Sequence, residues 1–251
     1  MILLVDMGNS RLKSSIYSAS GLSDFHSEPY DGRKAIECLN EHLLQHSDVT
    51  DLALVSVRGK GFEADVRELC QQSGIKLHWA GSVAEVHGVK NQYRLPETLG
   101  SDRFVALVGA HHLLPNEHCI VVDCGTAVTI DGLTADGEFS GGVIIPGLRL
   151  WGDSLIQRAD QLNEHRLQHP EVFARDTAQA IGSGSLYGLV GAIEGICQRM
   201  QDQLEARFGS EIHVTRILCG GDAELIAEHA QSKFQLQPHL VLQGLAQFVD
   251  C

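Results

Sequence analysis

The stretch Ile2-Leu3-Leu4-Val5-Asp6-Met7-Gly8-Asn9-Ser10-Arg11-Leu12-Lys13 returns in altered form as Cys119-Ile120-Val121-Val122-Asp123-Cys124-Gly125-Thr126-Ala127-Val128-Thr129. Each copy is a short apolar run broken by Asp-x-Gly-[Asn/Thr]. Strand-like character resumes at once, over Leu12 to Tyr17 in the first copy and Val128 to Ile130 in the second. An apolar run bounded by turn formers reads as a buried strand, so each copy predicts strand, tight turn, strand. Two such openings more than a hundred residues apart predict a duplicated architecture and exclude a short-period solenoid. Pro115-Asn116 breaks the apolar helical pattern of Phe104 to Leu114. Two α/β lobes, 1–115 and 116–251, are therefore expected.

The first lobe alternates further. Helical spacing over Arg33 to His46 is followed by a strand at Leu52 to Val57. A helix at Phe62 to Cys70, stopped by Ser73-Gly74, leads to a strand at Lys76 to Trp79. Residues 88–103 read as a polar loop that delivers Asp102 and Arg103 to the next helix. In the second lobe Gly137 and Gly141-Gly142 read as hairpin turns. Ala178 to Phe208 is a long amphipathic stretch, and Ile217-Leu218 a last buried strand before Gly220-Gly221-Asp222-Ala223.

In an acid-glycine turn, glycine lets a ligand approach the backbone, and successive N–H groups form an anion-binding concavity. The fourth residue adds a donor, and the acid can hold a hydrated cation that bridges phosphates. Asp6, Gly8, Asn9, Ser10 and Lys13 supply that set once, and Asp123, Gly125, Thr126 and Thr129 a second time. An ordinary type I′ hairpin would also favour Asp and Gly. The glycine pair at 220–221 could let an adenine or ribose lie against the backbone, or could simply open a helix with Asp222 in its first turn.

Composition bounds the partners. The chain has 251 residues, 43% hydrophobic and 20% charged, with a formal net charge of −13. No basic run could track a phosphate backbone, so nucleic acid is not an expected partner. The seven cysteines include no C-x-x-C pair, and none of the thirteen histidines falls in an H-E-x-x-H spacing. Reduced thiols, a cytoplasmic location and no zinc site are expected. The opening apolar run meets Asp6 too early for a signal peptide or a membrane span, so no membrane partner is expected. Neither a G-x-x-x-x-G-K-[ST] loop nor a protein-kinase glycine loop is present.

These features resemble the actin, Hsp70 and sugar-kinase superfamily, and within it the type III pantothenate kinases. The likeness rests on Asp6-Met7-Gly8-Asn9-Ser10-Arg11-Leu12-Lys13, on Tyr93 with Leu99-Gly100-Ser101-Asp102-Arg103, and on Asp123 to Thr129. Gly141 to Gly147, Thr177 to Gly184 and Gly220 to Ala223 follow in the family's order, and Ser10 stands where the family usually has Thr. The resemblance implies two ribonuclease-H-like lobes with a nucleotide cleft between them. It implies transfer of phosphate from ATP, with Mg²⁺, to pantothenate in coenzyme A synthesis. Asp6 to Lys13 and Thr126 would bind ATP, and Asp102 would be the general base. Tyr93, Gly100, Ser101, Asp102, Arg103 and Thr177 would meet pantothenate, Thr177 across the interface of a homodimer. Asp123 would hold a monovalent cation, either the metal ion K⁺ or NH₄⁺. From the residues alone, Asp102 could equally be a first-turn acid beside a solvated Arg103, Tyr93 a loop aromatic covering the core, Thr177 an N-cap, and Asp123 a ligand of hydrated Mg²⁺. Another small-molecule kinase of the superfamily, or a non-catalytic regulatory relative, would share much of this pattern.

Overall fold

The computed structural model describes residues 1–156 and 170–249, which divide into two compact units. The first opens with β1 (Ile2–Met7), β2 (Arg11–Ser18) and β3 (Gly21–Pro29), followed by α1 (Ala35–Gln45), β4 (Asp51–Ser56), α2 (Lys60–Ser73) and β5 (Lys76–Ala80). Its sheet runs β3-β2-β1-β4-β5, antiparallel across β1, β2 and β3 and parallel from β1 to β4 to β5. β1 and β4 are buried almost throughout because they lie inside the sheet. Leu3, Val5, Met7, Leu12 and Leu54 share one core with Leu39 and Leu43 of α1 and Val66 of α2. Gly74, in the left-handed region at φ 68°, ends α2 as its sequence position predicts, its N–H reaching the Cys70 and Gln71 carbonyls. The polar segment 88–103 carries β7 (Val89–Asn91), paired with β6 (Glu85–Val86), and then a 3₁₀ turn at Pro96–Thr98. Helix α3 (Ser101–Leu113) begins three residues earlier than expected, so Asp102 and Arg103 lie inside its first turn.

The second unit has β8 (His118–Cys124), β9 (Ala127–Leu133), β10 (Glu138–Pro146), α4 (Leu148–Ile156), α5 (Thr177–Phe208), β11 (Val214–Cys219), α6 (Ala223–His229) and β12 (Gln235–Leu236). Its strands run β12-β11-β8-β9-β10, with β8 antiparallel to β9 and parallel to β11. Read from the other end, this is the strand order of the first sheet, so the repeated opening reflects a repeated topology. Gly137 sits in a turn at φ 79°, as its position predicts. Gly141 and Gly142, by contrast, lie within β10 and make no hairpin turn. Helix α5 runs unbroken through Gly182 and Gly184. It is long and apolar enough to cross a membrane by length and composition, yet half of its most apolar window is buried. Leu186, Leu189, Val190, Ile193 and Cys197 pack there on β8 and β9.

The last helix, α7 (Leu240–Ala246), occupies the place after β12 that α3 occupies after β5. With the residues that flank it and residues 136–139, the start of β10 included, it belongs to the first unit rather than to a continuous second lobe. Two glycines explain the return. A Cβ on Gly109 of α3 would meet the Leu240 carbonyl at 2.6 Å, and one on Gly244 would run into that of Val105. The two helices touch backbone to backbone.

The six cysteines among the described residues are buried and form no disulfide, and Cys251 lies outside them. Burial pushes the Cys119 and Cys197 thiols up to about 12, which suits inert core residues. His42 of α1 is 4% exposed, with Nε2 2.7 Å from Ser14 Oγ. Burial, reinforced by His46 and His26, lowers its pKa from 6.5 to about 4. Between those two values the unfolded chain binds the extra proton, so stability is full above pH 6.5 and drains as the pH falls towards 4. Urea midpoints measured across that interval should fall in the wild type and fall less in His42→Gln. Equal slopes would assign the loss to other groups.

Candidate active site

The first acid-glycine turn joins β1 to β2, with Asp6 paired to Lys13 and Met7 to Leu12. Five consecutive carbonyls here accept hydrogen bonds from the unit behind them. Ser56 Oγ donates to Met7 O (3.3 Å). Tyr30 OH donates to Gly8 O (2.9 Å) and Arg11 O (3.0 Å), and Tyr30 N to Ser10 O (3.2 Å). Arg58 Nη2 donates to Asn9 O (3.3 Å), and its guanidinium lies 4.8 Å from the Tyr30 ring centroid. Gly8 N closes the turn on Arg11 O at 3.1 Å. A loop whose carbonyls are engaged internally turns its positive side outward, as an anion requires. Asp6 is buried, with Lys13 Nζ 4.0 Å from its carboxylate. Arg11 is tied by Nε and Nη2 to Ser27 of β3. Met7 and Leu12 are fully buried, so only their main chains could face a ligand.

The second turn, between β8 and β9, is one residue shorter, because Asp123 pairs with Thr129 where Asp6 pairs with Lys13. Its carbonyls are also engaged: Cys124 O by Asp222 N (3.1 Å), Thr126 O by Gly147 N (3.1 Å) and Ala127 O by Gly125 N (3.2 Å). Gly220, at φ 92°, lies so close that a Cβ there would collide with Asp123 Oδ1 and the Cys124 backbone. A Cβ on Gly147 would collide with the carbonyls of Gly125 and Thr126. The predicted glycine pair and Asp123 are thus neighbours within one unit. Burial raises the Asp222 pKa. Thr126 is exposed on the turn. Thr177 is exposed as the first residue of α5, whose N-cap is Asp176, accepting from Gln179 N at 2.8 Å. Thr177 is therefore not the cap.

A type I′ hairpin needs φ above zero at both central residues, and no residue of either turn has it. Nor does packing demand glycine: a Cβ on Gly8 or Gly125 would meet its nearest atom at an ordinary 3.4 Å. Both positions leave clear ground in front of the turn.

The segment before α3 gathers the remaining candidates. Buried Asn91 donates to Ser82 Oγ and to Pro96 O, both at 3.0 Å, and accepts from Tyr93 N at 3.1 Å. Arg103 is buried, its Nη1 donating to Tyr93 OH at 3.1 Å, with the Tyr93 and Phe139 rings 5.8 and 5.9 Å from its guanidinium. Arg103 is therefore no solvated surface charge. Half-buried Asp102 accepts at Oδ1 from Arg103 N (2.8 Å), and a Cβ on Gly100 would come within 2.8 Å of that oxygen. Gly100 makes room for the carboxylate. Ser101 is the first residue of the helix. Tyr93, Gly100, Ser101, Asp102 and Arg103 are thus brought together in one unit, and Asp123 lies with Thr126 in the other.

A family model described as type III pantothenate kinase matches residues 2–199. A type III pantothenate kinase of Herminiimonas arsenicoxydans is 36% identical over 98% of this chain and 96% of its own. One from a Janthinobacterium species is also 36% identical, with the same coverage. The chain belongs to the type III pantothenate kinase family. The ADP-bound MreB5 of Spiroplasma citri aligns over 99% of this chain and 96% of its own, with a TM-score of 0.56 at 10% identity. That likeness concerns the fold alone.

In this type III pantothenate kinase family member, Tyr30, Ser56 and Arg58 behind the first turn escaped the sequence reading. Ser56 and Arg58 lie at the carboxyl end of β4, beside that of β1 in parallel register, the end where open α/β sheets bind ligands. That was the available signal. Tyr30 follows a polar edge strand and has none. Tyr30→Phe removes the hydroxyl proton shared between the Gly8 and Arg11 carbonyls, at a net cost of roughly 0.5–1.5 kcal/mol. It should raise the KM for ATP several-fold while leaving the KM for the acceptor unchanged, as initial-rate kinetics would reveal.

Proposed function

We propose that the protein transfers the γ-phosphoryl group of ATP to the primary hydroxyl of pantothenate, giving 4′-phosphopantothenate at the entry to coenzyme A synthesis. The observation that carries this reading is the carboxylate of Asp102, set by its helix turn into the space that Gly100 leaves, beside the fixed Arg103–Tyr93 pair. The acceptor oxygen attacks the γ-phosphorus, the bond to the ADP oxygen breaks, and Asp102 takes the hydroxyl proton. Arg103 offers an immobile cation to the pantothenate carboxylate or the transferred group. Tyr93, Gly100 and Ser101 line the acceptor's place, and Thr177 is assigned to the acceptor across a homodimer.

Asp6 to Lys13 is assigned to the triphosphate, with Lys13 as the mobile cation, and Thr126 to ATP. Asp123 suits a cation: its carboxylate is half-buried on the second turn, against backbone that glycine keeps open. The reading places K⁺ or NH₄⁺ there, with Mg²⁺ accompanying ATP to neutralise phosphate charge. A cytoplasmic location fits buried thiols that form no disulfide among the described residues.

The test is a coupled assay of ADP release with pantothenate, hexoses or acetate as acceptor, with and without potassium. Turnover with pantothenate alone is expected, and turnover only with another acceptor would overturn the assignment. Asp102→Asn should keep the wild-type circular dichroism spectrum and lower kcat by roughly 10²–10⁴. Near-wild-type turnover would remove Asp102 from the mechanism.

A further inference from the structure

We infer that His26, Glu28 and His42 form a binding site for a borderline divalent transition-metal ion of the Zn²⁺ type, on the face of the first unit where β3 meets α1. One ligand atom from each of the three lies within 4.8 Å of the others. The imidazoles of His26 and His42 are stacked, with centroids 5.2 Å apart. His46, one helical turn beyond His42, brings a third ring to 4.9 Å from it. Histidines at i and i+4 on one helix face are a spacing that zinc sites use. Glu28 Oε2 lies 3.9 Å from His26 Nε2 and completes a nitrogen-and-oxygen donor set. Imidazole with carboxylate suits zinc, nickel or copper, whereas magnesium prefers oxygen alone.

The donors differ in freedom as a metal site requires. His42 is buried, and Ser14 Oγ at 2.7 Å fixes the plane of its ring, the kind of outer contact that orients metal-bound imidazoles. His26 and Glu28 have side chains 49% and 25% exposed and can rotate. Donors about 2.0–2.2 Å from a tetrahedral zinc lie roughly 3.4 Å apart, a contraction these two side chains can supply. Arg33 Nη2, 3.4 Å from Glu28, would lose that contact but keep Glu41 at 2.9 Å. In sequence the set is invisible, because His26 and Glu28 reach His42 only through the pairing of β3 with β2.

The test titrates the metal-stripped full-length protein with Zn²⁺ alone, without nucleotide, by calorimetry and by thermal unfolding. One Zn²⁺ per chain and a rise in Tm are expected for the wild type. His26→Ala and Glu28→Gln change surface side chains; each should keep the wild-type circular dichroism spectrum, lower the affinity roughly tenfold or more, and abolish the Tm rise. Absence of binding, or affinity unchanged in either variant, would overturn the site. Because the readout is metal binding, it is independent of phosphoryl transfer.

Discussion

A backbone turn can face an anion only if its carbonyl oxygens are held elsewhere, and that constraint organises the first unit. Met7, Gly8, Asn9, Ser10 and Arg11 all give their carbonyls to donors behind the turn. Tyr30 alone serves three of those carbonyls, two through the one proton of its hydroxyl, which they share, and one through its main chain. Its hydroxyl pKa is raised, chiefly by burial, so the phenol stays a donor. Ser56 is itself fixed, accepting from Arg58 N at 3.1 Å. Each bond is worth only about 1 kcal/mol net; their effect is to fix which side of the turn looks outward.

The second unit meets the same constraint with other material. Its turn has no tyrosine behind it. Instead the main-chain N–H groups of Gly147 and Asp222 accept the task, and they come close enough because residues 147 and 220 lack a Cβ. Duplication has preserved the strand order and the acid-glycine turn while the support diverged. The glycines therefore divide in purpose. Gly147 and Gly220 are required by packing, whereas Gly8 and Gly125 are not, and at those two positions the open space itself is what glycine provides.

This division explains what the sequence made legible. Buried strands announce themselves by apolar runs, so β1, β4 and β8 were readable to within about two residues at either end, while β11 was read only over Ile217 and Leu218, three residues late at its start; the acid-glycine turns stood out because they interrupt such runs. Strand β3 was not readable: it lies at the sheet edge, its central five residues are exposed, and an edge strand needs no alternation. With β3 unseen, neither Tyr30's position nor the meeting of His26 with His42 could be inferred. Gly141-Gly142 misled as a turn because a paired glycine signals a bend more often than the irregular strand it occupies here. The return of α7 to the first unit was hidden for another reason, since one small residue on each of two distant helices carries no pattern.

The placement of Asp102 follows from helix geometry and bears on how the proposed reaction would run. In the first turn of α3 its carboxylate feels the partial positive charge of the helix start and accepts a hydrogen bond from Arg103 N. Both hold the carboxylate that serves as base in the proposed reaction in one place. A loose phosphoryl-transfer transition state asks little more, because the acceptor hydroxyl becomes strongly acidic only as its bond to phosphorus forms. Position then matters more than basicity, and position is what Gly100 controls. A side chain at residue 100 would press on the carboxylate oxygen, while the next nearest atom, in the Arg103 side chain, is an ordinary 3.7 Å away, so the proposed base is what it would displace.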